Sequence, residues 1–266
     1  MIERTVANLD SSKNIFVFDI DGVIRDVSGS YRRALADTVE HFTLSAYRPT
    51  SEEIDDLKSE GIWNNDWEAS QELIKRYFHR LDQESQISYE SIVAFFQSRY
   101  RGSKSDWQDG YIASEPLIAN QEYFQGLTDV GISWGFFSGA TKASATFVLN
   151  RLQISDSVLI AMEDADGKPD PTGLLMAVKQ IETLEQISAD LVVYVGDTVA
   201  DMLTVLKARE YDSSYRYLAV GVIPPHVQGE NFRDRYKSLL MESGADLVLN
   251  NLLELTPQLN YSQIQK

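Results

Sequence analysis

Cysteine is absent from the 266 residues, which excludes disulfides, thiolate nucleophiles and cysteine-ligated metals at once. Histidine is scarce: His41, His79 and His226 lie far apart, lack the HExxH spacing of zinc hydrolases and read as surface or helix-face residues. No apolar run reaches about 18 residues, the length a membrane span needs, and Met1 to Lys13 hold no apolar signal-peptide core. The expectation is a cytoplasmic protein without membrane contact. Positive charge is also in short supply, with 24 Lys and Arg against 40 Asp and Glu and a formal net charge of −16. Such a surface repels a phosphate backbone and excludes a general nucleic-acid binder.

What is present suffices for a folded core. Hydrophobic residues make up 43% and aromatics 11%, far from the composition of disordered chains. The length corresponds to one or two domains and needs no metal or disulfide staple. With cysteine missing and histidine sparse, a bound metal would be held by carboxylates, which points to a hard cation such as magnesium.

Asn14 to Phe18 (NIFVF) reads as a buried strand that stops at Asp19-Ile20-Asp21-Gly22. From about Ser30 to Arg101 the apolar spacing turns helical, as in Ala34, Leu35, Val39 and Phe42, then Leu73, Ile74, Tyr77 and Phe78, and predicts roughly four helices. A polar, glycine-bounded linker, Gly102 to Gly110, ends this block. Beyond it short apolar strands (Ser133 to Phe137, Ser157 to Ala161, Leu191 to Val195, Tyr217 to Val222, Asp246 to Leu249) alternate with amphipathic helices (Ala143 to Leu152, Thr172 to Glu182, Val199 to Ala208, Asn231 to Ser243). That alternation predicts an α/β fold, a doubly wound, Rossmann-like and mostly parallel sheet. The first strand must join the same sheet, so the helical block is an insertion. The expected division is an α/β core of residues 1–27 and 111–266 and a helical cap of residues 28–110, with Thr256 to Lys266 a polar tail.

Ligands of open parallel sheets bind outside the carboxyl ends of the strands. At those ends stand Asp19 and Asp21, then Ser138 and Gly139, then Lys168 a few residues after the third strand, then Asp197 with Asp201 one helical turn on. Taken singly, each has a structural alternative. Asp19 and Asp21 suit a turn, Ser138 a helix N-cap in competition with Thr141, Lys168 a solvated surface, and Asp197 and Asp201 a helix's first turn. Their order, each at the end of a buried strand, favours one crevice. Clustered carboxylates raise one another's pKa unless a divalent cation sits among them, and a phosphate dianion approaches them only if that cation and a lysine neutralise the charge. A carboxylate nucleophile, magnesium, a hydroxyl and a lysine make a complete set for phosphoryl transfer.

These four motifs, Asp19-Ile20-Asp21-Gly22-Val23, Phe136-Phe137-Ser138-Gly139, Gly167-Lys168-Pro169 and Gly196-Asp197-Thr198-Val199-Ala200-Asp201, resemble in order those of the haloacid dehalogenase superfamily. The insertion after the first motif resembles, by position and helical pattern, the C1 cap of its phosphoglycolate phosphatase-like subfamily. The resemblance implies a magnesium-dependent phosphatase of small phosphorylated metabolites that works through an aspartyl-phosphate. Asp19 would attack phosphorus, and Asp21 would protonate the leaving alkoxide and then deprotonate water. Magnesium would be bound by the Asp19 carboxylate, the Asp21 backbone carbonyl and Asp197. Asp201 would be a further ligand, or the acid that orients metal waters or Lys168. Ser138, Gly139 and Lys168 would hold the phosphoryl oxygens. Family dehalogenases lack an acid at the place of Asp21, so Asp21 argues for oxygen–phosphorus chemistry. A sugar-phosphate phosphomutase shares the same nucleophile, and a non-catalytic binding or regulatory protein the same fold; both remain alternatives. Serine-hydrolase and P-loop chemistry do not fit, because Ser138 sits one position too late for G-x-S-x-G and Lys168 precedes proline.

The cap offers Gly61-Ile62-Trp63-Asn64-Asn65-Asp66-Trp67, whose amides, acid and indoles could contact substrate. The same stretch suits a helix start, with Asn65 as N-cap, Glu68 as its partner and the indoles in the cap's core. Arg25 and Lys142 are candidates for meeting a second anionic group of the substrate, against the alternative of solvated charges.

Overall fold

The computed structural model describes residues 13–227 and 229–256. A six-stranded, all-parallel sheet forms the centre, built from β1 (Asn14–Phe18), β2 (Ser133–Phe137), β3 (Val158–Ile160), β4 (Leu191–Gly196), β5 (Arg216–Val222) and β6 (Leu247–Leu249) in the order β3-β2-β1-β4-β5-β6. The order reverses at β1, which pairs with β2 on one side and β4 on the other. The carboxyl ends of these three strands therefore adjoin, with Phe18 in register with Phe136 and Val195. That is the switch point at which open α/β sheets bind ligands.

Side chains alternate across the pleat. Ile15 and Val17 face a layer made by α7 (Thr172–Glu185), α8 (Val199–Tyr211) and α9 (Glu230–Glu242). Phe16 and Phe18 face the opposite layer, α5 (Gln121–Asp129) and α6 (Lys142–Arg151). Phe18 packs edge-on against Phe124 with centroids 5.6 Å apart. Each fully buried ring contributes on the order of 2–3 kcal/mol and anchors the strand that carries Asp19. The sequence pattern places ten of these eleven core elements to within a few residues. It does not show α5, whose inward face holds only Phe124 and Leu127 and whose middle is Gly126.

Between β1 and β2 lie α1 (Tyr31–Phe42), α2 (Ser51–Lys58), α3 (Asp66–His79) and α4 (Tyr89–Tyr100), the four helices read from the spacing. They share a separate apolar cluster built around Leu35, Ile54, Ile74 and Phe96 that extends to Ile112 in a short 3-10 turn (Tyr111–Ser114). Side chains start three of them: Thr50 and Glu53 form a capping box on α2, Asn65 caps α3 and Ser88 caps α4. The linker before the 3-10 turn is closed by Asp109, which accepts the amides of Ser103 and Lys104, both at 3.0 Å. Among the described residues no helix is long and apolar enough to cross a membrane. The expected polar tail lies outside the described residues from residue 257 onward.

Candidate active site

Asp19 directly follows β1. Its amide donates to the Val195 carbonyl at 2.8 Å, so the sheet's hydrogen bonding continues one residue past the strand. Its Oδ1 accepts the Ile20 amide at 2.7 Å, and its Oδ2 lies 2.9 Å from the Lys168 ammonium. Lys168 is buried and reaches on to Asp201 Oδ1 at 2.7 Å, with the rings of Phe137 and Tyr194 flanking the ammonium.

Asp201 is held from every side. Tyr194 donates its hydroxyl to Oδ1 at 2.9 Å, while Oδ2 accepts the Thr198 hydroxyl at 2.6 Å and the Thr198 amide at 2.9 Å. Thr198 in turn caps α8, so the capping box that starts this helix also fixes the acid that holds Lys168. Gly196 makes room for it, since a Cβ there would lie 2.3 Å from the Asp201 Cβ. Asp197, between them, differs. It is nearly buried, and its carboxylate accepts no hydrogen bond from the described residues, although Tyr236 donates to its backbone carbonyl at 2.9 Å. Gly22, with φ of 76°, passes beneath it, and a Cβ on Gly22 would stand 2.0 Å from Asp197 Oδ2.

The charges show what this cluster calls for. Burial pushes Asp19 up to about 7 despite the pull of Lys168, with Asp201 and Asp21 adding to the rise. Burial, with Asp201 and Asp19 close by, pushes Asp197 well above the carboxylate range. Asp201 goes the other way: burial opposes its ionisation, but Lys168 and the Thr198 hydrogen bonds hold it low. One oxygen from each of Asp19, Asp197 and Asp201 falls within 4.8 Å of the others. A nearly buried carboxylate without a hydrogen bond, facing a second whose ionisation burial opposes, fits a hard divalent cation held by oxygen. Asp201 is already engaged by Lys168, Tyr194 and Thr198, so of its two sequence readings the geometry favours the one in which it orients Lys168.

Asp21, Gly139, Asn64, Asn65, Asp66 and Trp67 line one cavity with Asp19 and Asp197. Ser138 and Lys168 line its neighbouring opening, which Gly139, Asn64 and Asn65 share. The Ser138 oxygen accepts the Ala140 amide at 3.1 Å, which leaves its hydroxyl hydrogen free to donate; Thr141, not Ser138, caps α6. In the cap loop Asn65 accepts the Trp67 amide at 3.0 Å as N-cap and also borders the cavity, while Trp63 and Trp67 lean on the cap cluster; Glu68 does not complete a capping box there. Asp66 is paired with Lys58 at 2.8 Å.

Three sequence expectations are corrected. Lys142 does not border the cavity. It pairs with Asp164 at 2.9 Å on the surface, a solvated charge as its exposed position at the start of α6 allows. Arg25 is the reverse case, fully buried with Asp21 and Glu115 rather than solvated. His226, read as a surface or helix-face residue, is buried on the loop after β5, lines the cavity and lies 3.0 Å from Asp55 of α2. No local pattern announces the partners of Glu115, Tyr100 and His226, which come from elements distant in sequence. The only local signal was the Asp21–Arg25 spacing of four.

The family described as haloacid dehalogenase-like hydrolase matches residues 13–208. A protein of Phytophthora nicotianae named imidazoleglycerol-phosphate dehydratase is 29% identical over 254 residues, covering 91% of this chain and 52% of that protein. The chain thus spans about half the length of this curated relative. A hydrolase from Pseudomonas syringae has a similar fold, with a TM-score of 0.64, 18% identity and coverage of 90% of this chain and 94% of the other. Phosphatase Tt82 from Thermococcus thioreducens has a TM-score of 0.59, 21% identity and coverage of 84% and 99%.

Proposed function

The chain belongs to the haloacid dehalogenase-like hydrolases, and from that premise we propose that it is a magnesium-dependent phosphatase that hydrolyses a small phosphomonoester through an aspartyl-phosphate on Asp19. The observation that carries this reading is the buried Lys168 bridging Asp19 and Asp201 beside an Asp197 carboxylate without a hydrogen bond.

Asp19 Oδ1 is fixed by the Ile20 amide, so the carboxylate presents a set geometry to phosphorus. Its attack forms the acyl-phosphate bond as the bond from phosphorus to the ester oxygen breaks, and the electron pair leaves with the alkoxide. Asp21 gives that alkoxide its proton. Asp21 then takes a proton from water as the water attacks the aspartyl-phosphate, which returns Asp19 and releases inorganic phosphate. Lys168 and the Ser138 hydroxyl hold phosphoryl oxygens throughout, with the backbone at Gly139 alongside. The Asp19 carboxylate, the Asp21 backbone carbonyl and Asp197 would hold magnesium, which would supply charge neutralisation for the acids and the incoming dianion. We assign residues 28–110 as a cap whose loop at 61–67 closes the cavity over the ester's alcohol.

The dehydratase name of the Phytophthora relative favours one class of alcohol, an imidazole-bearing one. On the cap side Trp67 offers an indole of the kind that would receive a small heteroaromatic ring, and Asp66 lines the same wall while paired with Lys58. The test is phosphate release from a panel of small phosphomonoesters that includes imidazole-bearing ones, with and without EDTA. Metal-dependent release, abolished in Asp19→Asn, is expected. Metal-independent turnover, full activity in that variant, or isomerisation without phosphate release would overturn the reading.

A further inference from the structure

Arg25 has the largest of the fully buried side chains, and it stands where the chain leaves the core for the helical insertion. Glu115 stands where the chain returns. The two linkers are stitched by backbone bonds, Asp26 to the Pro116 carbonyl at 2.9 Å and Ile118 to the Ile24 carbonyl at 2.8 Å. Across this seam Arg25 Nη1 pairs with Glu115 Oε2 at 2.5 Å and donates to the Tyr100 hydroxyl at 2.8 Å. Tyr100 is the last residue of α4, and its ring stacks on Tyr31, the first residue of α1, at 4.0 Å. The same guanidinium reaches Asp21, with Nε at 2.6 Å and Nη2 at 2.5 Å, both to Oδ1.

This is a costly arrangement to maintain, since burying an arginine and a glutamate is repaid only when the geometry is good and the remaining donors are satisfied. A fold that needed only a hinge could pin its linkers with apolar side chains. What the buried cation adds is an Nε hydrogen bond, reinforced by the close charge of Nη2, on a single oxygen of Asp21. Oδ2 has no partner among the described residues, and Asp21 lines the cavity. A planar, rigid fork suits that task better than a flexible ammonium.

We propose that Arg25 is a positioning residue: it grips Asp21 Oδ1 so that Oδ2 faces the departing ester oxygen, and through Glu115 and Tyr100 it refers that acid to the position of the helical insertion. The proposal rests on the phosphatase reading above. Its consequence is selective. An alkoxide leaving group needs the proton that Asp21 carries, whereas p-nitrophenolate leaves without one. Loss of the grip therefore slows alkyl esters and spares the aryl ester.

The test compares kcat/KM for p-nitrophenyl phosphate and for the best alkyl ester of the panel, in the wild type and in Arg25→Met/Glu115→Gln. The double change removes both fully buried charges together and leaves unpaired only Asp21, which borders the cavity; circular dichroism melting checks the fold. General acid catalysis contributes about 10²–10⁴-fold, so the alkyl-to-aryl ratio of kcat/KM should fall by at least about tenfold, and Arg25→Lys, which restores a charge but not the fork, should recover only part of it. A merely structural role would lower both esters alike, and an unchanged ratio overturns the proposal while leaving the phosphatase reading intact. A wild type that hydrolyses neither ester overturns the phosphatase reading, and the proposal falls with it.

Discussion

Replacing Lys168 with methionine isolates the charge balance on which the site depends. Methionine keeps most of the volume between the Phe137 and Tyr194 rings but removes the cation 2.9 Å from Asp19 and 2.7 Å from Asp201. At an effective dielectric of about 20, each contact represents about 6 kcal/mol of Coulomb attraction. The cost of keeping lysine out of water offsets much of it, and the net destabilisation from removing one partner of a buried ion pair is about 3–5 kcal/mol. Urea unfolding of Lys168→Met in EDTA should show a loss of that size. Added magnesium should recover part of it, because a divalent cation takes over neutralisation of Asp19 and Asp197. Phosphate release should still fall by at least about a hundredfold, since the ammonium proposed to hold the phosphoryl oxygens is gone. A variant as stable as the wild type in EDTA, with wild-type turnover, would refute the reasoning that Lys168 is the cation of this cluster.

Two other perturbations test neighbouring parts. Gly22→Ala puts a methyl group 2.0 Å from Asp197 Oδ2 at a φ of 76°; the backbone cost is about 1–2 kcal/mol, and displacement of Asp197 should weaken magnesium binding about 10- to 100-fold by calorimetric titration. Wild-type affinity would mean that Asp197 does not bind the metal. His226 is pushed below its ordinary 6.5 by burial, against the pull of Asp55, so the unfolded chain takes up its proton first as pH falls. The stability from a neutral His226 is present above about pH 6.5 and is lost on acidification below it. Urea unfolding between pH 7 and pH 5 should show this loss in the wild type and less of it in His226→Gln; identical slopes would remove His226 from the account.

The parts of this molecule that the sequence reveals are those governed by local rules. Strands buried on both faces read as continuous runs such as Leu191–Val195, and their ends are marked by Asp19, Ser138 and Asp197 where the chain must turn. The strand-end rule then brings Lys168 to Asp19 across 149 positions without any knowledge of contacts. What stayed hidden depends on partners that no local pattern announces. Arg25 reads as a solvated charge until two linkers close over it, and His226 reads as a surface residue until α2 lays Asp55 against it. Helix α5 escaped because two apolar residues around Gly126 give little periodicity, although the packing of Phe124 on Phe18 makes that helix secure. The cap loop shows the same limit in milder form, since Asn65 signals a helix start and only the fold shows that this start borders a cavity.

On the proposed mechanism Asp19 becomes covalently phosphorylated during turnover. Acid quenching of the enzyme mixed with a hydrolysed phosphomonoester and magnesium, followed by peptide mapping by mass spectrometry, tests it directly. The account predicts one phosphoryl group on the peptide that carries Asp19, absent in Asp19→Asn and in EDTA. Turnover that leaves that peptide unmodified at every quench time, or that persists in Asp19→Asn, would contradict it.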